Sequence, residues 1–140
     1  MRSKQAFVVA DSSALISLFF PTDNNHKIAV KTAEHLDEYN TTIITPGDIF
    51  TETMNVIGKK FGHNLAISTG NLILDSNLFI MEEINDQIRK ASFKKFKTEV
   101  NSTSFTDCIV MAFADHFETK DIFGFDEIFA KNGYTRLGLD

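Results

Sequence analysis

Short strand-like runs alternate with longer segments of helical spacing along the whole of this chain. The first run, residues 6–10, is apolar at every position, and further runs follow at 41–44, 78–81 and 122–125, with a last edge strand at 136–138. A continuous apolar run is typical of a strand buried on both faces of a parallel sheet. The alternation therefore predicts an α/β fold with a central, mostly parallel sheet of four or five strands, covered by helices on both faces.

Size and composition predict a single domain that spans residues 1–140. The chain is 43% apolar and contains 14 Phe, which is enough to build a core. Its one cysteine, Cys108, has no partner for an internal disulfide, and no apolar stretch is long enough for a signal or a membrane anchor. We therefore expect a reduced, cytoplasmic protein without a membrane function.

The formal net charge of -5 argues against a protein that coats nucleic acid through a generally basic surface. Any contact with nucleic acid must then be local. A negative net charge also arises where a protein clusters carboxylates to bind divalent cations. Such cations bridge the anionic protein to anionic phosphates.

Acidic side chains recur where the predicted strands end. Asp11 follows the first run and Asp126 follows the run at 122–125. Because the carboxyl ends of parallel strands meet at one edge of a sheet, we expect these two acids to share that edge. Glu52 and Asp107 lie in the first turns of two helices that leave the same kind of edge. The sequence therefore predicts that four carboxylates converge.

Converging carboxylates repel one another and raise each other's pKa unless positive charge lies between them. A divalent cation removes this conflict, and hard oxygen ligands suit Mg²⁺ or Mn²⁺. Such ions polarise a phosphate and lower the pKa of a bound water. The reaction class that follows is metal-assisted phosphodiester hydrolysis.

Each acid also has a purely structural interpretation, which the spacing alone leaves open. Asp11 fits a turn after a strand, Asp126 a helix N-cap and Glu52 an exposed helical position. Asp107 and Asp48 each fit the last position of a capping box, Ser-x-x-Asp at 104–107 and Thr-x-x-Asp at 45–48. None of these interpretations explains why acids recur where apolar strands end.

The sequence resembles a PIN domain of the kind found in VapC-type toxins, over essentially the whole chain. Four segments carry the resemblance, in order: 8–15 around Asp11, Thr51-Glu52, 104–108 around Asp107, and 125–129 around Asp126. The resemblance implies a PIN-like three-layer sandwich, dependence on Mg²⁺ or Mn²⁺, cleavage of single-stranded or structured RNA and often a homodimer.

The resemblance also implies roles for individual residues. The metal ligands and catalytic residues would be Asp11, Glu52, Asp107 and Asp126, and the polar neighbours that orient them would be Ser12 and Thr106. Asp48, one turn before Glu52, is a candidate outer acid. Cys108 stands where the family usually has Ala after the acid, and a small buried thiol fits such a core position.

The densest basic stretch is predicted to lie on one helix. Its members are Arg89, Lys90, Lys94, Lys95 and Lys97. Such a run is either a solvated helix face or, if it borders the acidic edge, a binding site for RNA phosphates; we assign Arg89, Lys90, Lys94 and Lys95 to RNA binding. Phe93 and Phe96, which flank it, are predicted by their helical spacing to pack inward.

Together with the resemblance, these features predict a divalent-metal-dependent endoribonuclease. The resemblance further implies that it is the toxin of a toxin-antitoxin pair, with an antitoxin as a possible partner. An acidic pocket is a natural receptor for an Arg or Lys side chain of such a partner. The alternative is a non-catalytic PIN-like module that binds RNA or protein. A phosphatase of the haloacid dehalogenase type is disfavoured, since that pattern requires a second Asp where this chain has Ser13.

Overall fold

Five parallel strands form one sheet in the computed structural model, which describes residues 6–140. The strands are β1 (Phe7–Ala10), β2 (Thr42–Pro46), β3 (Phe79–Glu82), β4 (Asp121–Phe123) and β5 (Thr135–Arg136). Their order across the sheet is β3-β2-β1-β4-β5, and every neighbouring pair is parallel. The prediction of an α/β fold around a mostly parallel sheet is thus confirmed.

Helices connect the strands. They are α1 (Ser12–Phe19), α2 (His26–Glu38), α3 (Gly47–Phe61), α4 (His63–Asp75), α5 (Asp86–Thr98), α6 (Phe105–His116) and α7 (Glu127–Lys131). Among the described residues, none of these helices is long and apolar enough to cross a membrane.

The centre of the core lies between β1 and α6. Residues 8–10 of β1 are fully buried, which explains why this strand is apolar at every position. Helix α6 packs on β1, β2 and β4, and eight consecutive residues, 107–114, are buried in it. Its long apolar run is therefore that of a helix enclosed on all sides, with Cys108 buried as predicted.

Strand order reverses at β1. The chain passes from β1 outward to β2 and β3, then returns to place β4 on the other side of β1. In open α/β sheets the crevice at such a switch point, outside the carboxyl ends of the strands, is the usual place for a ligand. The backbone N–H of Asp11 donates to the carbonyl of Phe123 (2.9 Å), which extends the pairing of β1 and β4 to the site.

Three local predictions were wrong. The Thr-x-x-Asp segment at 45–48 is not a capping box, because Thr45 belongs to β2, and α3 begins at Gly47 with Pro46 as N-cap and no side-chain cap. Phe93 and Phe96 are exposed, since the buried face of α5 consists of Ile88 and Ser92.

Candidate metal-binding active site

Asp11 is the most enclosed acid of the candidate site. It follows β1 directly and is the N-cap of α1. Its Oδ2 accepts a hydrogen bond from the Ser13 hydroxyl (2.7 Å), and that hydroxyl accepts one from the backbone N–H of Phe125 (3.1 Å). Ser13 thus ties the carboxylate to the segment after β4.

Burial dominates the electrostatics of Asp11. Loss of solvation raises its pKa to about 6. The hydrogen bonds from Ser13 oppose this rise, and the charges of Asp107 and Glu52 add to it. A carboxylate enclosed in this way is costly to ionise unless a cation accompanies it.

Gly124 allows β4 to approach Asp11. A Cβ atom at this position would lie 2.8 Å from Cβ of Asp11 and 3.1 Å from the Phe129 ring. The contact with Asp11 is closer than side chains tolerate without a shift of the backbone. Glycine at this position therefore permits the close approach that places Asp126, two residues on, at the same edge.

Glu52 lies in the second turn of α3 and faces Asp107. Burial and the charge of Asp107 raise its pKa, while the hydroxyls of Thr106 and Ser12 lower it. Its Oε2 is buried and has no hydrogen-bond partner among the described residues. The lowering effect of the two hydroxyls is that expected of residues that orient an acid of the site.

Asp107 lies in the first turn of α6 and combines two roles. It forms a capping box in which its Oδ2 accepts from the Ser104 backbone N–H (3.1 Å) and its own N–H donates to Ser104 Oγ (3.1 Å). The predicted capping box at 104–107 is confirmed. The pKa of Asp107 is raised, mainly because the side chain is buried and further by the charge of Asp126, against the opposing hydrogen bonds from Ser104. The capping hydrogen bond uses only Oδ2 of Asp107, so it does not prevent the other carboxylate oxygen from binding a metal ion.

Asp126 is the exposed member of the set. Its side chain caps α7 by accepting from the Ile128 N–H (3.2 Å), which confirms the N-cap interpretation. Asp126 and Asp107 line a common cleft together with Thr103, whose buried hydroxyl oxygen has no partner among the described residues. Asp126 therefore lies on the solvent-exposed side of the candidate site.

The four acids interact electrostatically with one another. The charges of Glu52 and Asp107 raise the pKa of Asp11, the charge of Asp107 raises the pKa of Glu52, and the charge of Asp126 raises the pKa of Asp107. The structure thus brings the four predicted acids to one edge of the sheet. Asp48, by contrast, is exposed at the start of α3 and has no observed contact with them.

The donor set fits a hard divalent cation. It consists of carboxylate oxygens, one of them buried and unpartnered on Glu52, and of hydroxyls from Ser12 and Thr106. Within residues 6–140, no three acidic, His or Cys side chains lie close enough together to hold a metal ion as they are arranged. A cation held by three of these acids therefore requires their side chains to move closer together.

The basic residues of α5 divide into two faces. Arg89, Lys90 and Lys94 line a groove with Lys97 and two Phe rings, described below. Lys95 points elsewhere: it forms an ion pair with Asp115 (2.8 Å) and donates to the Tyr134 hydroxyl (3.3 Å). The assignment of Lys95 to RNA binding therefore does not fit its position, and Asp115 belongs to this ion pair at the far end of α6.

Sequence reasoning missed two residues that shape the site. Ser13 was not predicted to contact the site, although it forms hydrogen bonds with both Asp11 and the segment after β4. Gly124 was considered only as part of a strand run. The one available signal was a glycine two residues before an acid at a strand end, which marks close backbone approach.

The family model of the PIN domain matches residues 8–133, a span that contains all four acids and their helices. The chain belongs to the PIN domain family. Among solved structures, this PIN domain is similar to VapC20 of Mycobacterium tuberculosis, described as a sarcin-ricin-loop-cleaving toxin, with a TM-score of 0.78. The match covers 91% of this chain and 96% of that chain at 18% sequence identity, a level that establishes a shared fold. No curated protein matches this sequence.

Proposed function

We propose that this PIN domain is a divalent-metal-dependent endoribonuclease and the toxin of a toxin-antitoxin pair. The observation that carries the proposal is the enclosed Asp11 carboxylate beside Glu52 and Asp107, with a buried Glu52 oxygen that has no partner among the described residues. Such a cluster is electrostatically unfavourable by itself and becomes favourable around a cation.

In this proposal Asp11, Glu52, Asp107 and Asp126 hold Mg²⁺ or Mn²⁺ and are the catalytic residues. The cation supplies polarisation of a phosphate and a bound water of lowered pKa. Ser13 fixes Asp11, the hydroxyls of Ser12 and Thr106 orient Glu52, and the capping box fixes Asp107. The site residues are thus positioned by helix starts and strand ends, which are rigid supports.

RNA is the proposed substrate. VapC20, which shares the fold, is described as cleaving the sarcin-ricin loop. In this chain Arg89, Lys90 and Lys94 lie on α5, and α5 packs along α6, the helix that begins with the Asp107 turn. Basic side chains beside an acidic metal site are suited to hold the phosphates that flank a scissile bond.

The alternative is a PIN-like module that binds RNA or protein without catalysis. Loss of catalysis usually leaves some acids replaced or rearranged. Here the four acids are present, their charges influence one another, and Asp11, Asp107 and Asp126 accept specific hydrogen bonds. These contacts favour the enzyme.

The proposal extends to partners and location. We propose a homodimer, an antitoxin that occupies the acidic site, and a cytoplasmic location. Helix α4 carries exposed apolar side chains of the kind that interfaces bury, at Leu65, Ile67, Leu72 and Leu74.

A cleavage assay on labelled RNA tests the proposed function. The purified chain is incubated with a mixed-sequence RNA and with the matching DNA, in Mn²⁺, in Mg²⁺ and in excess EDTA. We expect discrete RNA fragments with either metal, none in EDTA, and restored cleavage when Mn²⁺ is added back. Cleavage that continues in EDTA would contradict the proposal, as would intact RNA under all three conditions.

A further inference from the structure

The α5–α6 groove combines positive charge with exposed aromatic surface. Its lining consists of Arg89, Lys90, Phe93, Lys94, Lys97 and Phe105, and it contains no acidic residue. The cavity volume of about 720 Å³ is within the range of small-ligand sites. The whole chain carries a net charge of -5, so this groove is a local positive region on an acidic protein.

Phe93 is an aromatic ring without a structural role that explains it. It is 51% exposed in the middle of α5, on the solvent side of the helix, where polar residues are usual. The Lys97 ammonium lies 4.9 Å from the centre of its ring. An exposed ring with a cation over one of its faces suits both parts of a nucleotide, since a base can stack on the opposite face and a phosphate can pair with the ammonium.

Phe105 connects the groove to the candidate active site. It is the first residue of α6, immediately before Thr106 and two positions before Asp107. Its ring packs edge-on against Phe96, with ring centres 5.5 Å apart, which holds it in place at the groove wall. Phe105, which lines the groove, and Asp107, an acid of the candidate site, thus belong to the same first turn of α6.

From these contacts we propose that the groove binds an unpaired RNA base on Phe93, while Lys90, Lys94 and Lys97 hold the adjacent phosphates. Arg89 has a smaller part, because it is already paired with Asp86 (3.1 Å). A base within a duplex presents no free face to an aromatic ring, so the groove selects RNA that is single-stranded beside the cut. This inference rests on the proposed function and deepens it.

Binding measurements separate this proposal from its alternatives. The parent protein carries Asp11→Asn, so that RNA stays intact, and a fluorescent single-stranded RNA is titrated by anisotropy in EDTA. Phe93→Ala should raise the Kd about 5- to 100-fold, the range for loss of one stacked base. Phe93→Tyr should bind like the parent, and Phe93→Leu should bind as weakly as Phe93→Ala. Tyr39→Ala is the matched control, since Tyr39 is an even more exposed ring, 65%, at the end of α2.

A second substrate identifies the base as the group that stacks. An oligonucleotide of equal length with abasic positions at its centre should bind the parent more weakly, and Phe93→Ala should weaken it no further. An unchanged Kd for Phe93→Ala on RNA would overturn the proposal and leave the groove as a protein-docking surface. Parent-like binding by Phe93→Leu, or an equal loss on the abasic oligonucleotide, would also overturn it.

The cleavage assay keeps this inference distinct from the proposed function. If the natural chain cleaves RNA with Mn²⁺ but Phe93→Ala binds RNA like the parent, the base-stacking inference fails and the nuclease stands. If the natural chain does not cleave RNA and the parent does not bind it, both fail.

Discussion

Substitution of Asp11 by Asn is expected to lower the rate of Mn²⁺-dependent RNA cleavage by a factor of about 1,000 or more. Asn keeps the size of the side chain and can still accept the hydrogen bond from Ser13. It removes one negative charge that would hold the cation, and a bound cation stabilises such a transition state by several kcal/mol. Each ~1.4 kcal/mol corresponds to a tenfold change in rate. Single-turnover cleavage of a labelled RNA measures the effect.

Asp48→Asn is the matched control for this substitution. Asp48 also lies at the start of a helix beside the site, but it is exposed. We expect its removal to change the cleavage rate less than about threefold, in keeping with surface substitutions. A full rate in Asp11→Asn, or an equal loss in the two variants, would show that the enclosed acids are not the catalytic set.

The same substitution is expected to stabilise the protein when metal is absent. Enclosure raises the pKa of Asp11 from an ordinary value of 3.8 to about 6, so its ionised form is less favourable in the folded state than in the unfolded state. At pH 8 with EDTA, Asp11→Asn should increase the free energy of unfolding by up to about 3 kcal/mol. Thermal and urea unfolding measure this gain.

The pH dependence has a defined sign. Because the folded-state pKa is raised, ionisation destabilises the natural chain progressively as the pH rises from about 4 to about 6, and the full effect is present above that window. The advantage of Asp11→Asn should therefore be largest at pH 7–8 and shrink toward pH 4. Asp48→Asn should show no such advantage. A loss of stability in metal-free Asp11→Asn at pH 8 would contradict the enclosed-charge account.

The sequence predicted the sheet and the location of the acids because both depend on local patterns. The apolar run before Asp11 indicates a doubly buried strand, and the parallel topology that follows places the strand-end acids at one edge. The Ser104–Asp107 capping box is likewise local, since its two partners are three residues apart. Patterns of this kind need no tertiary information.

The remaining features depend on contacts distant in sequence. The Ser13 hydroxyl accepts a hydrogen bond from the backbone N–H of Phe125, which is 112 residues away in sequence. A glycine is required at position 124 only because Asp11 packs against it. Helical spacing predicted that Phe93 packs inward, but α5 buries little of its surface, so the ring remains exposed. Spacing identifies which residues share a face and does not identify what that face contacts.

The central claim is that the four carboxylates form a divalent-cation site, and Mn²⁺ binding measured by electron paramagnetic resonance tests it most directly. Free Mn²⁺ gives a strong signal that weakens on binding, so a titration of the natural chain and of Asp11→Asn at pH 7.5 reports the site without RNA. We predict saturable binding by the natural chain, unaffected by Asp48→Asn and greatly weakened by Asp11→Asn. Equal Mn²⁺ binding by the natural chain and Asp11→Asn, or no binding by either, would contradict the account.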